Sequence, residues 1–110
     1  MITEQKVRQI IHESLQKIVD SKMVPKEFPI NDETSLIGIG ANLDSVAFVA
    51  FATDVEERIE EEIGREFILR LQEIHDLNES KNALIAGDMA RLVTKIVNRK
   101  TADVRKEAKR

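Results

Sequence analysis

The sequence contains no cysteine, no tryptophan and no tyrosine, and each absence excludes a class of site. Without cysteine, the chain has no disulfide framework, no thiolate metal site and no thiol of its own for chemistry. Any working thiol must therefore be supplied by an added group. The basic residues are not interleaved with aromatic ones, so a stacking platform for nucleic acid is not expected. We also expect no metal site.

Long apolar runs are lacking as well. No stretch approaches the roughly 18 to 20 apolar residues that cross a bilayer, and residues 1–5 do not resemble the start of a signal peptide. We therefore expect a soluble cytoplasmic protein with no transmembrane segment. The 110 residues predict one small domain that buries a modest core without disulfides or metal.

Charge is unevenly distributed, although the formal net charge is only −3. Residues 44–62 contain seven acidic residues and one basic residue, whereas residues 98–110 contain six basic and two acidic residues. The periodic apolar pattern stops at Asn98. We therefore interpret residues 1–98 as a helical domain and residues 99–110 as a basic, disordered tail.

The most informative stretch is a glycine-punctuated loop that runs into a helix at about residues 44–63. Gly38 and Gly40 allow backbone turns that other residues resist, and Asp44 or Ser45 is predicted to cap the helix. Ser45 therefore lies at a helix N-terminus. Free amides and the helix dipole favour a phosphate ester at that position.

The residues G-I-G-A-N-L-D-S-V at 38–46, followed by an acidic helix that ends at Gly64, resemble the acyl carrier proteins. The resemblance covers about residues 3–99 and is most specific over 36–64. In that family the serine of an Asp-Ser-Leu motif carries 4′-phosphopantetheine, which here implies attachment at Ser45 beside Asp44. Val46 stands where the family usually has leucine, which leaves the attachment chemistry intact.

The resemblance implies an all-α fold, a small four-helix bundle with a long loop between its first two helices. It also implies a non-enzymatic carrier that holds an acyl group as a thioester on the arm. Its partners would be a phosphopantetheinyl transferase and acyl-loading and acyl-processing enzymes with basic docking surfaces. The pathway would make fatty acids, polyketides or envelope lipids. We expect a monomer.

The periodicity predicts further elements. A first helix begins near Thr3, and residues 21–34 form a long loop because Pro25 and Pro29 disfavour a helix. The apolar residues of the next segment are predicted to pack over the bundle: Met23, Val24, Phe28, Ile30, Leu36, Ile37 and Ile39. Residues 67–77 suit a helix, although 67–69 suit an extended run equally.

Near the end of the domain, two helices are predicted. Ser80 caps a short one over about 81–86. Gly87 then ends it, and Asp88 caps the last helix.

The second helix has a divided outer face. Phe48, Phe51, Ala52, Val55, Ile59 and Ile63 share the inner face at 100° per residue. The opposite face begins with the apolar Val46 and Val49 and continues with the acidic Glu57, Glu60 and Glu61, with Asp54 at its edge. An apolar patch beside Ser45 predicts a docking surface for partner enzymes, while a homodimer contact is the alternative.

Two other functions compete with the carrier hypothesis. Ser45 as an enzymatic nucleophile would need a base within hydrogen-bond reach, and the only histidines, His12 and His75, lie in no recognisable catalytic segment. We assign neither histidine a function. The second competitor is a non-enzymatic helical interaction or dimerisation protein in which Ser45 is only a helix cap.

Overall fold

The computed structural model describes residues 2–78 and 82–108, with side chains as far as residue 99. Within those residues the chain forms four helices and a two-stranded sheet. In chain order the elements are α1 (Glu4–Asp20), β1 (Ser35–Gly38), α2 (Ser45–Ile63), α3 (Leu71–Leu77), β2 (Ala83–Ile85) and α4 (Ala86–Ala108). The fold is therefore mostly helical, and the prediction of an all-α bundle is corrected by the sheet.

Helix α1 forms as its sequence predicts. The Thr3 hydroxyl accepts a hydrogen bond from the Lys6 amide at 3.1 Å and caps the helix. The predicted apolar stripe is buried against α2 and α4: Val7, Ile10, Ile11, Leu15, Ile18 and Val19. Removal of this stripe from water is the main stabilising contribution of α1.

The loop from residue 21 to residue 34 has no helix or strand, as Pro25 and Pro29 predict. Val24, Phe28 and Ile30 are half-buried against the core, which confirms that this loop packs over the helices. Leu36 is fully buried, but Ile37 and Ile39 are exposed by 43% and 74%. The packing predicted for those two isoleucines is wrong, because β1 directs Leu36 alone into the core.

Strands β1 and β2 are antiparallel, with Ile37 opposite Leu84 and Gly38 opposite Ala83. The short helix predicted over 81–86 is therefore wrong for residues 83–85, and its proposed cap, Ser80, lies outside the described residues. Local helix preference is a weak prior there, because pairing with β1 buries Leu84 and satisfies the backbone.

Helix α4 begins at Ala86, so Gly87 and Asp88 lie in its first turn instead of ending one helix and capping another. The amides of Ala86 and Gly87 donate to the carbonyls of Thr34 and Asp32 at 2.9 and 2.7 Å. These loop carbonyls satisfy the orphan amides that a side-chain cap would otherwise serve. At its other end α4 continues to Ala108, and the domain boundary at 98 stays a prediction.

The segment after α2 is extended before it enters α3. Gly64 ends α2 with φ 73° and ψ 23°, the left-handed cap that the sequence predicts. Phe67 and Leu69 are buried and Ile68 between them is exposed, which is the alternation of an extended chain. Among the described residues, no helix has the length and apolar character to cross a membrane.

Gly38 and Gly40 provide a matched pair for testing the role of the strand crossing. Both have positive φ, 89° and 72°, but a Cβ on Gly38 would collide with the Asn82 carbonyl, whereas a Cβ on Gly40 would meet no atom within 4 Å. We expect Gly40→Ala to lower the free energy of unfolding by about 1 kcal/mol through backbone strain. Gly38→Ala should cost about 1–3 kcal/mol more.

Urea denaturation of the two variants measures this difference. Equal losses of stability would show that the close approach of β1 to Asn82 does not constrain the fold.

Candidate functional site

Asp44 is the cap of α2. Its carboxylate accepts a hydrogen bond from the Ala47 amide at 2.7 Å, and its carbonyl accepts one from the Phe48 amide at 2.8 Å. The sequence left the cap open between Asp44 and Ser45, and the geometry assigns it to Asp44. Ser45 is therefore the first residue of the helix, and its hydroxyl is not needed to cap it.

The Ser45 side chain is exposed to solvent. Within residues 2–78 and 82–99, no hydrogen-bond partner is found for its hydroxyl or for the amides of Ser45 and Val46. These amides lie at the positive end of α2, which favours an anionic substituent. A phosphate ester on Ser45 would thus displace no existing contact.

The loop before Ser45 is fixed by its own backbone. Gly38 and Gly40 have the positive φ angles that the sequence predicts. Asn42 donates from both its amide and its side chain to the Ser35 carbonyl, at 3.0 and 3.1 Å. Leu43 is buried, so the loop is anchored immediately before the cap. The position of Ser45 relative to β1 is therefore well determined.

A largely apolar depression of about 280 Å³, which we call the outer groove, lies beside Ser45. It is lined by α2, by β1 and by the start of α3, with contributions from Asp44, Ser45, Leu36, Phe48, Val49 and Leu71. A second cavity of about 80 Å³, the inner pocket, is bounded by Ile74, His75, Asn82 and Leu84. Ile37, Gly38 and Leu71 line both. Leu71 thus belongs to the wall between the outer groove and the inner pocket.

The predicted outer face of α2 is only partly available to a partner. Val46 and Val49 are exposed by 71% and 56%, and Glu57 and Glu61 are also exposed. Glu60 is half-buried, and its carboxylate accepts a hydrogen bond from the Phe67 amide at 3.3 Å. The freely exposed acidic surface on this face is therefore smaller than the sequence suggests.

Asp54 does not lie at the edge of that face and is only 7% exposed, which corrects its predicted position. Its carboxylate accepts hydrogen bonds from the Ser14 hydroxyl at 2.7 Å, from Lys17 at 2.9 Å and from Arg58 at 2.6 Å. Arg58 also bonds Glu13 at 2.9 Å. The acid therefore joins α1 to α2 and faces no partner.

One sequence feature could have located this cluster. Ser14 sits within the apolar stripe of α1, four residues from Ile10 and from Ile18, and a buried hydroxyl needs a hydrogen-bond partner. An acid on the facing side of α2 is a suitable acceptor. The pairing itself depends on how the two helices pack, so the wheel of α2 alone could not predict it.

Burial of Asp54 acts to raise the pKa of its carboxyl group, but the hydrogen bonds from Ser14, Arg58 and Lys17 together outweigh that effect. The pKa of Asp54 therefore lies below its ordinary value of 3.8. Burial and Asp54 act in opposite directions on Arg58; the hydrogen bond to Asp54 is the larger influence and raises the Arg58 pKa. Both shifts stabilise the charged pair.

The two histidines lie in different places. His12 is half-buried on α1, with its Nε2 atom 3.3 Å from the Asp32 carboxylate, and His75 is exposed on α3, 3.6 Å from Asp76. The His75–Asp76 pair is exposed to solvent, as expected from the sequence. Neither histidine is hydrogen-bonded to Ser45 in the part of the chain whose side chains are described.

Comparisons of the chain with protein-family profiles, with curated proteins and with solved structures found no match.

Asp54→Asn tests the junction between α1 and α2. The amide would place donor hydrogens against Arg58 or Lys17, so we expect the free energy of unfolding at pH 7 to fall by about 1–3 kcal/mol. Because the native pKa is depressed, the contribution of Asp54 is present above the unfolded value of 3.8 and is lost as the pH falls through the native pKa.

The advantage of the wild type over Asp54→Asn should therefore shrink below about pH 4, as measured by urea denaturation between pH 7 and pH 2.5. Glu57→Gln, which changes an exposed acid on the same helix, should have little effect. An advantage that stays constant across this range would contradict the assignment.

Proposed function

We propose that the chain is an acyl carrier protein that holds an acyl group on a 4′-phosphopantetheine arm attached to Ser45. The observation that carries the proposal is an exposed, unengaged hydroxyl at the first residue of α2, on the rim of the apolar outer groove. Asp44 performs the capping, which leaves Ser45 available for modification. The motif at residues 38–46 supports the same function.

The residues around Ser45 fit the phosphate end of such an arm. The amides of Ser45 and Val46 are available to phosphate oxygens, and the positive end of the α2 dipole lowers the cost of the negative charge. When bound, the arm supplies the thiol that forms a thioester with the acyl group, a function that this cysteine-free chain cannot provide itself.

The outer groove fits the apolar end of the cargo. Leu36 and Phe48 are buried at its base, while Val49 and Leu71 form exposed rims. Apolar walls of this kind favour a hydrocarbon chain over water. The role of these residues would be to shield a carried group between partner enzymes.

Partner enzymes would dock on the outer face of α2. Val46 and Val49 offer an apolar contact next to Ser45, and Glu57 and Glu61 offer exposed negative charge one to three turns further along. Basic surfaces on a phosphopantetheinyl transferase and on acyl-processing enzymes would complement this arrangement. Asp54 has no part in this contact because it is buried, and Glu60 contributes only in part.

The alternative is a helical interaction or dimerisation protein. Its support is the exposure of Ile39, Val46 and Val49, by 74%, 71% and 56%. In that alternative Ser45 would serve only as a helix cap, but Asp44 already has this role. The alternative therefore explains the exposed apolar residues and leaves Ser45 unexplained.

Ser45→Ala should abolish modification while leaving the fold unchanged. A phosphopantetheinyl transferase with coenzyme A should add one arm to the wild-type chain and none to the variant, as read by intact mass. Because Asp44 remains as the cap, the free energy of unfolding should change by less than about 0.5 kcal/mol.

Ser21→Ala, at an exposed serine after α1, is the matched control and should be modified normally. A wild-type chain that stays unmodified with several competent transferases would make the proposal wrong.

Charge and apolar contacts on α2 should respond differently to salt. Reversing the exposed pair with Glu57→Lys/Glu61→Lys should slow modification most at low salt, because charges are screened over about 10 Å at 0.1 M and about 3 Å at 1 M ionic strength. Val46→Asp should slow it at every salt concentration, because it places a charge in an apolar contact.

Glu27→Lys/Glu33→Lys makes the same change of charge on the exposed loop before β1 and serves as the control. If all three variants are modified at the wild-type rate, the outer face of α2 is not the docking surface, and the dimer alternative gains.

A further inference from the structure

Residues 65–70, which we call the strap, are held to α2 by two carboxylates. Glu56 accepts a hydrogen bond from the Leu69 amide at 2.8 Å, and Glu60 accepts one from the Phe67 amide at 3.3 Å. Both acids are half-buried and lie one turn apart on α2. Hydrogen bonds to a charged acceptor are stronger than neutral ones, so these contacts fix the path of the strap.

The strap leads directly into the wall of the candidate site. It begins after the Gly64 cap and ends at the start of α3, whose first residue is Leu71. Leu71 lines both the outer groove and the inner pocket and is 42% exposed. A change in the strap would therefore reach the shared wall through a single backbone step.

The acids that hold the strap alternate with acids that are open to solvent. Glu57 follows Glu56 and Glu61 follows Glu60, and the second member of each pair is exposed. A cationic surface attracted to Glu57 and Glu61 would therefore come within reach of Glu56 and Glu60. Cationic side chains compete well with an amide for a carboxylate, because both partners are then charged.

We infer that the strap couples docking to the opening of the cleft. A docked cationic partner draws Glu56 and Glu60 away from the amides of Leu69 and Phe67, and the loosened strap lets Leu71 move from the shared wall. Phe67 and Leu69 remain anchored by burial at 4% and 7% exposure, so the strap loosens without detaching. The role of this motion in releasing a cargo rests on the proposed function, whereas the contacts belong to the unmodified chain.

The first test measures backbone hydrogen exchange in the unmodified protein by NMR. Glu56→Ala/Glu60→Ala should accelerate exchange of the Leu69 and Phe67 amides by about tenfold or more, as expected for loss of a charge-assisted hydrogen bond. Exchange is referenced to the amide of Val93, a fully buried residue of α4, so that a global loss of stability is separated from local opening.

Glu57→Ala/Glu61→Ala removes the same charge from the same helix and is the matched control. It should leave both strap amides as slow as in the wild type. Equal exchange rates in the two double variants would overturn the inference, because the carboxylates of Glu56 and Glu60 would then not hold the strap.

The second test adds a hexa-arginine peptide to the wild type as the cationic probe. Exchange of the Leu69 and Phe67 amides should accelerate and the methyl signals of Leu71 should shift, whereas sodium chloride at matched ionic strength should do neither. In Glu56→Ala/Glu60→Ala, where the amides are already released, the peptide should change neither. Faster exchange without movement of Leu71, or no response at all, would overturn the coupling.

These outcomes are distinct from failure of the proposed function. A chain that no transferase modifies but whose strap responds to the peptide would refute the carrier proposal and leave the coupling standing. A chain that is modified at Ser45 but whose strap amides ignore the peptide would refute the coupling alone.

Discussion

The close crossing of β1 and β2 at Gly38 is the constraint on which the candidate site depends. The Ile39 amide donates to the Asn82 carbonyl at 2.9 Å, and a side chain on Gly38 would occupy the space of that carbonyl. This contact fixes β1, and β1 fixes the loop that delivers Ser45 to the start of α2. It also forms part of both the outer groove and the inner pocket.

The acidic residues of α2 have two kinds of role that composition alone does not separate. Asp54 bonds α1, and Glu56 and Glu60 bond the strap, so each of these three satisfies a polar group inside the fold. Glu57 and Glu61 are exposed and supply the negative field at the surface. A count of acids therefore overstates the charge presented to a partner.

Local sequence patterns predicted what is decided locally. The Thr3 cap, the apolar stripe of α1, the extent of α2 and the Gly64 cap follow from periodicity and capping chemistry within a few residues. The sheet, the early start of α4 and the burial of Asp54 depend on partners far along the chain, such as Ser14 for Asp54. The Asp44–Ser45 motif was visible in the sequence, but the groove beside it required the packing of β1 against α3.

The two ends of the candidate site differ in how firmly they are held. Ser45 follows a capped, backbone-bonded loop with Leu43 buried beside it, so a group attached there would have a fixed origin. Leu71, on the opposite wall, follows a strap whose polar contacts are two half-buried carboxylates that a cation can reach. Elements with few buried contacts open more readily than the core. A rigid attachment point facing a compliant wall allows a carried chain to be shielded or released without moving its anchor.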